Sequence, residues 1–518
     1  MENSSLVLTL DFGTQSLRCA LLDDKGNIVD IVKKPYSPIY YSEKKGYAEQ
    51  DADFYWDNCI ESLKELCSRN KENLKRIIGT TITTFRDTAV FLDKNNKPLR
   101  KCILWLDQRT AKAKEKIPAL YSFIFKVVGM KNTIILNRKR TMAHWVKENE
   151  PRIWSKTRKY VNISTYLIYR LTGNLVDCPS GMTGHYPINF KAKKWYGEKA
   201  LKGVIFGVPS SMLPKLQETG TIAGKVLSEV AQEVGLPEGI NVFLTGSDKG
   251  CETLGLGAVS RDQAAVSYGT ACSIEVSNKK YHEPEPFLPA YGATVPGWYN
   301  MEVQVYRGYW MLGWFSKNFA AKELDEATIQ NMAVEEVLNA KLGDVAPGSD
   351  GLVLQPYWGP GLRRPLAKGA IVGFSDVHTK EHMYRAIIEG IAYALREGLE
   401  SIEKSQRHKV KEIKISGGGS QSDAICQITA DIFGLPVSRV QTYETTSLGA
   451  ATAVFLATNR FKTVEEAEAA MSHVKETFIP NKLAHQQYQY LYKKVYLKMF
   501  PQLKDVYKDI DKFDKKYL

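Results

Sequence analysis

The sequence lacks any apolar run long enough to cross a membrane, and its N-terminus carries neither a basic region nor an apolar export segment. We therefore expect a cytoplasmic protein that does not bind membranes. Cysteine pairs at Cys-x-x-Cys spacing are also missing, because the eight cysteines are scattered along the chain. This excludes a disulfide framework and a zinc ribbon, and it predicts buried, reduced thiols.

Signatures of nucleic-acid binding are absent as well. The chain has 518 residues and a net charge of +13, but its lysines are spread out and mixed with acids. Without a helix-turn-helix, zinc finger or RNA-binding motif, we expect no nucleic-acid partner. A modest basic excess also suits an enzyme that attracts anionic nucleotides. The length exceeds what one hydrophobic core supports, so two or more domains are expected.

A glycine-containing hairpin opens the chain. The apolar run Leu6–Leu10 leads into Asp11, then into Gly13-Thr14-Gln15-Ser16, and a second β-run covers Leu17–Leu22. Backbone N–H groups and hydroxyls at such a bend can hold a phosphate, and the acid can hold a metal ion through water. The alternative interpretation is an ordinary hairpin with a glycine turn.

A similar segment occurs near the middle of the sequence. Residues 263–276 again read as strand, Gly269-Thr270 and strand. Two such hairpins predict a duplicated architecture with two phosphate-facing loops, although Gly-Thr pairs are common enough to recur by chance. We place the domain boundary between residues 255 and 261, which gives domains at 1–258 and 259–518.

A glycine-rich turn follows a further predicted strand. Lys411–Ser416 leads into Gly417-Gly418-Gly419, and a helix is predicted from Ala424 to Phe433. Nucleotide groups can approach the backbone closely at such a turn, although a flexible turn explains the glycines equally well. We expect Ser447 to cap a helix of small residues that packs beneath this turn.

Asp248 is the candidate general base. It follows the apolar run Val242–Leu244 and precedes a predicted helix start, so we expect it at a strand end. An aspartate there can accept the proton of an attacking hydroxyl. The alternative interpretation is an N-cap aspartate that accepts hydrogen bonds from helix N–H groups.

Seven segments occur in an order that resembles the FGGY carbohydrate kinases: Asp11-Phe12-Gly13-Thr14, Phe85-Arg86-Asp87-Thr88, Trp105–Thr110, Gly246–Gly250, Tyr268-Gly269-Thr270, Gly369–Phe374 and Gly417–Gly419. The resemblance implies an α/β fold of two ribonuclease-H-like domains, as in the actin, hexokinase and Hsp70 superfamily, flanking a central cleft. It implies transfer of the ATP γ-phosphate to a hydroxyl of a small sugar or polyol, such as a ketose, a pentitol or a glycerol-like compound. The N-terminal domain would then bind the sugar and supply the base, and the C-terminal domain would bind the nucleotide and end in helices.

The resemblance also implies roles for single residues. Asp11 would hold Mg²⁺ through water, and Asp248 would be the base. The nucleotide-binding residues would be Thr14, Gln15, Ser16 and Arg18 at the β- and γ-phosphates, Thr270 from the opposite domain, and Gly308, Gly418, Gly419 and Asp423 near the adenosine.

The sugar would meet Arg86, Asp87, Trp105, Asp107 and Lys249. Each residue also has a purely structural interpretation. Arg86 and Asp87 could form a structural salt bridge, and Trp105 could pack in the core. Asp107 could support the wall of the pocket without contacting the sugar. Glycerol kinases carry a glutamate at the position of Asp87, and xylulokinases usually carry a Met-His pair in place of Arg86-Asp87. The shorter aspartate leaves more room and is consistent with a larger polyol, a ketose or another hydroxylated metabolite.

Two other functions are compatible with the fold. One is a nucleotide-binding regulatory protein without kinase activity, but the presence of both Asp11 and Asp248 favours the enzyme. The other is an Hsp70-like peptide-binding ATPase, which the Arg86-Asp87 and Trp105 segments disfavour because they suit a small polar ligand. By analogy with the family, a homodimer is suggested.

Overall fold

The computed structural model describes residues 4–127, 129–285, 288–359, 361 and 364–517. Its strands, in chain order, are β1 (Leu6–Phe12), β2 (Ser16–Asp23), β3 (Ile28–Pro35), β4 (Glu49–Gln50), β5 (Ile77–Thr84), β6 (Ala89–Leu92), β7 (Cys102–Ile103), β8 (Lys159–Asn162), β9 (Val176–Asp177), β10 (Ile188–Asn189), β11 (Lys194–Trp195), β12 (Lys215–Leu216), β13 (Ile222–Lys225), β14 (Asn241–Phe243), β15 (Gln263–Tyr268), β16 (Cys272–Asn278), β17 (Tyr291–Gly292), β18 (Tyr299–Val305), β19 (Val353–Gln355), β20 (Ala370–Val372), β21 (Glu412–Ser416), β22 (Val437–Val440) and β23 (Val474–Phe478).

The α-helices, in the same order, are α1 (Ala52–Arg69), α2 (Ala119–Val127), α3 (Lys131–Arg140), α4 (Met142–Asn149), α5 (Pro151–Lys156), α6 (Ile163–Thr172), α7 (Ser228–Val234), α8 (Asp248–Gly255), α9 (Trp310–Phe319), α10 (Ala321–Gln330), α11 (Val334–Ala340), α12 (Lys380–Gln406), α13 (Asp423–Phe433), α14 (Thr445–Ala457), α15 (Val464–Met471), α16 (Lys482–Leu491) and α17 (Leu497–Tyr517). A π-helical turn at Tyr492–Tyr496 separates the last two. Across the described residues, none of these helices combines the length and apolar character that a membrane crossing needs.

Two mixed sheets carry the fold, and they share one plan. The first has the strand order β13-β14-β5-β1-β2-β3, and the second has the order β17-β18-β16-β15-β21-β22-β23. In the first, β1 pairs antiparallel with β2 and parallel with β5. In the second, β15 pairs antiparallel with β16 and parallel with β21 in the same way. The duplicated α/β architecture predicted from the two hairpins is confirmed.

The central strands are apolar because both of their faces are covered. Every residue of β1 is buried, as is nearly every residue of β15 and β21. Parallel strands that lie inside a sheet typically read as continuous apolar runs for this reason. The polar residues that follow these runs therefore lie at the carboxyl ends of the strands, which is where ligands bind in open α/β sheets.

Helices α8 and α14 connect the two halves by packing backbone against backbone. A Cβ on Gly255 would lie 1.9 Å from the carbonyl oxygen of Thr445, and one on Gly449 would lie 1.8 Å from that of Cys251. Only glycine allows this approach. The expected cap at Ser447 is wrong: α14 begins at Thr445 after Glu444, and Ser447 is buried within the helix.

Candidate active site

Three predicted site residues lie at the carboxyl ends of neighbouring parallel strands. Asp11 is the penultimate residue of β1, Arg86 follows β5, and Asp248 follows β14 as the first residue of α8. Strand β5 pairs in parallel with both β1 and β14, so the three strands end at the same edge. The sheet therefore gathers residues that are far apart in the sequence.

The Asp11 and Asp248 carboxylates interact electrostatically in this region. Burial raises the pKa of Asp11 to about 7; the Arg18 guanidinium opposes the rise, and the negative charges of Asp248 and Glu444 add to it. Asp11 is 4% exposed, and its carboxylate has no hydrogen-bond partner among the described residues. A buried anion of this kind is stabilised by a nearby cation, so the site suits a hydrated Mg²⁺.

Asp248 does not cap α8. Ser247 occupies the N-cap position, and its Oγ accepts a hydrogen bond from the Gly250 backbone N–H at 3.4 Å. The N-cap interpretation of Asp248 is therefore wrong, and its carboxylate accepts from the Lys249 N–H at 2.8 Å. Burial raises the pKa of Asp248, whereas Lys249 and Arg86 lower it. A partly exposed carboxylate with a raised pKa is a suitable proton acceptor.

Arg86 pairs with Glu302 of the second sheet. Its guanidinium donates to the two Glu302 carboxylate oxygens at 2.5 and 2.7 Å, and the side chains are 13% and 2% exposed. Burial alone would lower the pKa of Arg86, but Glu302 holds it well above its ordinary value. The strand-end arginine is thus oriented by a carboxylate from the other half of the chain.

Asp87 has a different partner, His185. One carboxylate oxygen lies 2.6 Å from His185 Nδ1, and the other accepts from the His185 backbone N–H at 2.8 Å. Burial opposes ionisation, but His185 and Arg86 together lower the pKa of Asp87. Gly184 is required here: its φ is +127°, and a Cβ would lie 2.4 Å from the Asp87 carboxylate.

Trp105 and Asp107 belong to one loop but make different contacts. The Trp105 indole N–H donates to Thr14 Oγ1 at 3.0 Å, which joins this loop to the predicted phosphate-binding turn. Asp107 accepts from the Ala48 N–H at 2.7 Å and from the Arg109 guanidinium at 2.8 and 2.7 Å. These contacts favour a structural role for Asp107, in which its carboxylate holds the loop in place. Its contact with the substrate stays a prediction.

Lys249 is held by Glu252 within a buried polar network. The ammonium donates to Glu252 Oε2 at 2.7 Å and also contacts Ser267 of β15. The other Glu252 oxygen accepts from Ser267 at 2.9 Å and from Ser416, at the end of β21, at 2.6 Å. The network therefore links α8 to the two central strands of the second sheet.

The turn after β1 is closed by backbone hydrogen bonds. The Gly13 N–H donates to the Ser16 carbonyl at 3.0 Å, and the Gln15 carbonyl accepts from Tyr36 at 2.9 Å. Arg18, the third residue of β2, forms an ion pair with Glu444 at 2.7 Å. Arg18 is therefore braced from the second half of the chain, beside Asp11.

Some of the predicted nucleotide-binding residues of the second half lie near Tyr268 and Tyr309, whose rings stack at 4.7 Å. A Cβ on Gly419 would lie 2.2 Å from the Tyr309 ring, whereas one on Gly418 would meet nothing within 4 Å. The Thr270 carbonyl accepts from the Trp310 N–H at 3.3 Å, and a Cβ on Gly308 would lie 2.3 Å from Cys272 Sγ. Asp423, at the start of α13, pairs with Arg439 at 2.6 Å.

Glu302 and His185 are functional candidates that the sequence analysis missed. Glu302 is a buried acid inside β18, and it lies directly opposite the buried Glu275 of β16. Two acids on apolar strands are a signal that could have been noticed, because a buried carboxylate requires a partner. Nothing in the sequence marks His185 as the partner of Asp87.

A magnesium site with several protein ligands is not built into this arrangement. Among the described residues, no three His, Cys, Asp or Glu side chains are clustered so that they could hold a metal ion. Asp11 alone, acting through water, is consistent with the way Mg²⁺ usually keeps several of its waters and binds substrate phosphates.

Comparisons with known proteins cover most of the chain. Residues 6–255 match the N-terminal domain, and residues 264–458 the C-terminal domain, of the FGGY family of carbohydrate kinases. A xylulose kinase of Lactococcus lactis subsp. lactis is 30% identical over 494 residues, covering 94% of this chain and 95% of that protein. A gluconokinase of Bacillus subtilis is 28% identical, with 86% of each chain covered.

Solved structures confirm the fold. A ligand-bound xylulose kinase from Lactobacillus acidophilus has a TM-score of 0.81 at 22% identity, covering 98% of this chain and 100% of that one. A gluconate kinase from the same organism also has a TM-score of 0.81, at 23% identity, with 98% and 100% covered. At these identities the likeness shows the fold alone, which is the two-domain α/β fold that the sequence predicts.

Proposed function

The chain belongs to the FGGY family of carbohydrate kinases, and from that premise we propose how its residues act. The enzyme uses ATP to phosphorylate a hydroxyl group of a small sugar or polyol. The regulatory alternative has no support in the comparisons. Phosphoryl transfer depends on positioning and charge neutralisation more than on covalent help, so the roles below concern binding, orientation and one proton.

We propose Asp248 as the general base. The observation that carries this proposal is its position at the strand edge shared with Asp11 and Arg86, with burial raising its pKa. The capping function that would otherwise explain an aspartate here belongs to Ser247. Asp248 would accept the hydroxyl proton as the oxygen attacks the γ-phosphorus, and Arg86 would favour its ionised form.

We propose Asp11 as the residue that holds Mg²⁺ through water. The bound ion would supply positive charge to the β- and γ-phosphates, which repel one another and the attacking oxygen. Thr14, Gln15, Ser16 and Arg18 would face these phosphates from the first turn, and Thr270 from the second hairpin. Gly308, Gly418, Gly419 and Asp423 would line the adenosine side.

The charges around Asp248 favour a neutral substrate. The two cations that act on Asp248, Arg86 and Lys249, already pair with Glu302 and Glu252. A sugar acid would bring its carboxylate towards these buried acids and Asp87, all of which carry negative charge. Hydroxyl groups, in contrast, both donate and accept. We therefore propose a ketose or polyol, with Arg86, Asp87, Trp105 and Lys249 around it.

The cytoplasm is the proposed location. All eight cysteines are buried free thiols, which supports a reducing compartment. It is also where ATP is available to a metabolic kinase.

Asp248→Asn tests the catalytic assignment. We expect kcat to fall at least a hundredfold, the usual size of a general-base contribution, while ATP still binds. Asp24→Asn is the matched control, because Asp24 is a buried aspartate that follows β2, pairs with Arg460 at 2.6 Å and has no proposed role in the site, so its loss should act mainly on stability. An Asp248→Asn enzyme that retains turnover within a few-fold of the parent would contradict the assignment.

An ADP-release screen tests the substrate class. Glycerol, pentitols and ketopentoses form one arm, and gluconate and other sugar acids form the other. We expect the highest kcat/KM in the neutral arm. Preference for a sugar acid would overturn the neutral class but leave the kinase assignment intact.

A further inference from the structure

The charged side chains of Arg86 and Asp87 are engaged within the protein. The Arg86 guanidinium donates to both oxygens of Glu302, and the two oxygens of Asp87 contact His185. The protein itself therefore fixes the orientation of these charges. Nearby polar atoms that have no protein partner are better candidates for selecting a sugar, because such an atom costs free energy when a ligand leaves it unpaired.

His185 has one such atom. Its Nδ1 lies 2.6 Å from an Asp87 carboxylate oxygen, whereas its Nε2 has no hydrogen-bond partner among the described residues. An ionised carboxylate can only accept, so Nδ1 carries the proton and, in the neutral ring, Nε2 is an acceptor. The His185 side chain is 22% exposed and is therefore not sealed within the core.

One face of strand β18 is turned towards this pair. Side chains alternate between the faces of a strand, so Tyr306, which directly follows β18 and is four residues from Glu302, is placed on the same face as Glu302. Tyr291 of β17 shares this face, because it pairs with Asn300, two residues before Glu302. The Arg86 guanidinium contacts Glu302 and lies 5.6 Å from the centre of the Tyr291 ring.

Tyr306 has the second open atom. Its hydroxyl forms no hydrogen bond with any residue that the structure describes, and its ring centre lies 5.8 Å from the Arg140 guanidinium. Burial raises the pKa of Tyr306; Arg140 opposes the rise, and Glu302 and Asp87 add to it. The phenol therefore lies within electrostatic range of the carboxylate that holds His185. Because it stays protonated, it offers a hydrogen-bond donor.

We propose that His185 and Tyr306 are specificity-determining residues that read hydroxyl groups of the substrate, with His185 Nε2 as the acceptor and Tyr306 Oη as the donor. This inference rests on the proposed function. A hydroxyl group both donates and accepts, so the two open atoms match a polyol or a ketose. An analogue without the hydroxyl leaves a half-buried polar atom unpaired and is rejected for that reason. Asp87 also acts as a positioning residue, because it fixes the orientation of the His185 ring.

Two variants remove the open atoms and little else. His185→Asn keeps an N–H that can donate to Asp87 but has no counterpart of Nε2, and Tyr306→Phe lacks only the hydroxyl. His408→Asn is one control, since it removes a histidine after α12 that also pairs with a carboxylate. Tyr393→Phe is the other, since it removes a hydroxyl that is buried without a partner in the core of the second half. Both controls should leave kcat/KM unchanged.

Deletion of single substrate hydroxyls measures the two contacts. The probes are glycerol, ribitol, D-xylulose and D-ribulose, each compared with its monodeoxy analogues. With the parent enzyme, we expect at least one analogue of the preferred probe to lose about tenfold in kcat/KM, the size of one hydrogen bond. This loss should disappear in His185→Asn or in Tyr306→Phe, whereas the KM for ATP should not change.

Two results would overturn the inference: variants that lower kcat/KM by the same factor for a probe and for all its deoxy analogues, which would make the two side chains structural, or variants that change nothing. A sugar acid as the preferred substrate would contradict only the neutral class, because its own deoxy analogues still test the two contacts. An enzyme that phosphorylates neither these probes nor any sugar acid would contradict the proposed function, and the inference with it.

Discussion

The Arg86 guanidinium and the Glu302 carboxylate form a bidentate ion pair that joins the first sheet to the second. The residues are 216 positions apart. Arg86 follows β5, an inner strand of the first sheet, and Glu302 lies inside β18, next to the edge strand of the second. Removing one partner of a buried ion pair strongly destabilises the folded protein, whereas removing both charges is often tolerated. This pair therefore allows structural and catalytic contributions to be separated.

Glu302→Leu should lower the free energy of unfolding by about 3–5 kcal/mol, because Arg86 is left buried and unpaired. The double variant Arg86→Met, Glu302→Leu should recover most of this stability in urea unfolding, yet stay catalytically impaired. Glu233→Leu is the control, since its exposed pair with Lys64 should be worth no more than about 1 kcal/mol. Equal losses for Glu302→Leu and Glu233→Leu would contradict the prediction.

The pH dependence of kcat/KM should reveal the raised pKa of Asp248. The base must be ionised, so activity falls as the pH drops through its folded-state pKa, which burial places above the ordinary value of 3.8. Arg86 lowers this pKa, so Arg86→Met should move the acid limb to higher pH. Trp105→Phe should leave the limb where it is. An acid limb that Arg86→Met leaves unmoved, or shifts to lower pH, would argue against Asp248 as the titrating base.

Two adjacent glycines allow a matched test of the adenosine side. Gly419→Ala would place a Cβ 2.2 Å from the Tyr309 ring and should raise the KM for ATP about tenfold, as the turn is displaced. Gly418→Ala meets nothing within 4 Å and should bind ATP normally. The KM for the sugar should change in neither variant. If both variants bind ATP equally well, this turn does not position the nucleotide.

Close packing of α8 against α14 predicts a stability effect. Gly255→Ala would bring a Cβ within 1.9 Å of the Thr445 carbonyl oxygen and should destabilise the fold by about 1–3 kcal/mol. Gly313→Ala, inside α9 with nothing within 4 Å, should be neutral or stabilise by up to about 1 kcal/mol. Thermal unfolding of both variants measures the difference. A Gly255→Ala protein as stable as the parent would mean that the helices separate easily.

Much of the fold could be predicted because its signals are local. The two Gly-Thr hairpins, the glycine turn after β21 and the strand-to-helix step at Asp248 are each encoded by residues that are adjacent in the sequence. Ser447 shows the limit: a hydroxyl residue before a helical run suggested a cap, but tertiary packing starts the helix at Thr445.

The sequence by itself determined the duplicated sheets and the acids at their strand ends, since strand patterns and turn residues act over short distances. Only the tertiary structure decided which partners Arg86 and Asp87 take, namely Glu302 and His185, which lie 216 and 98 residues away. Such pairings depend on sheet register and on how the two halves meet, and each is selected because a buried charge must find an opposite charge or a hydrogen bond.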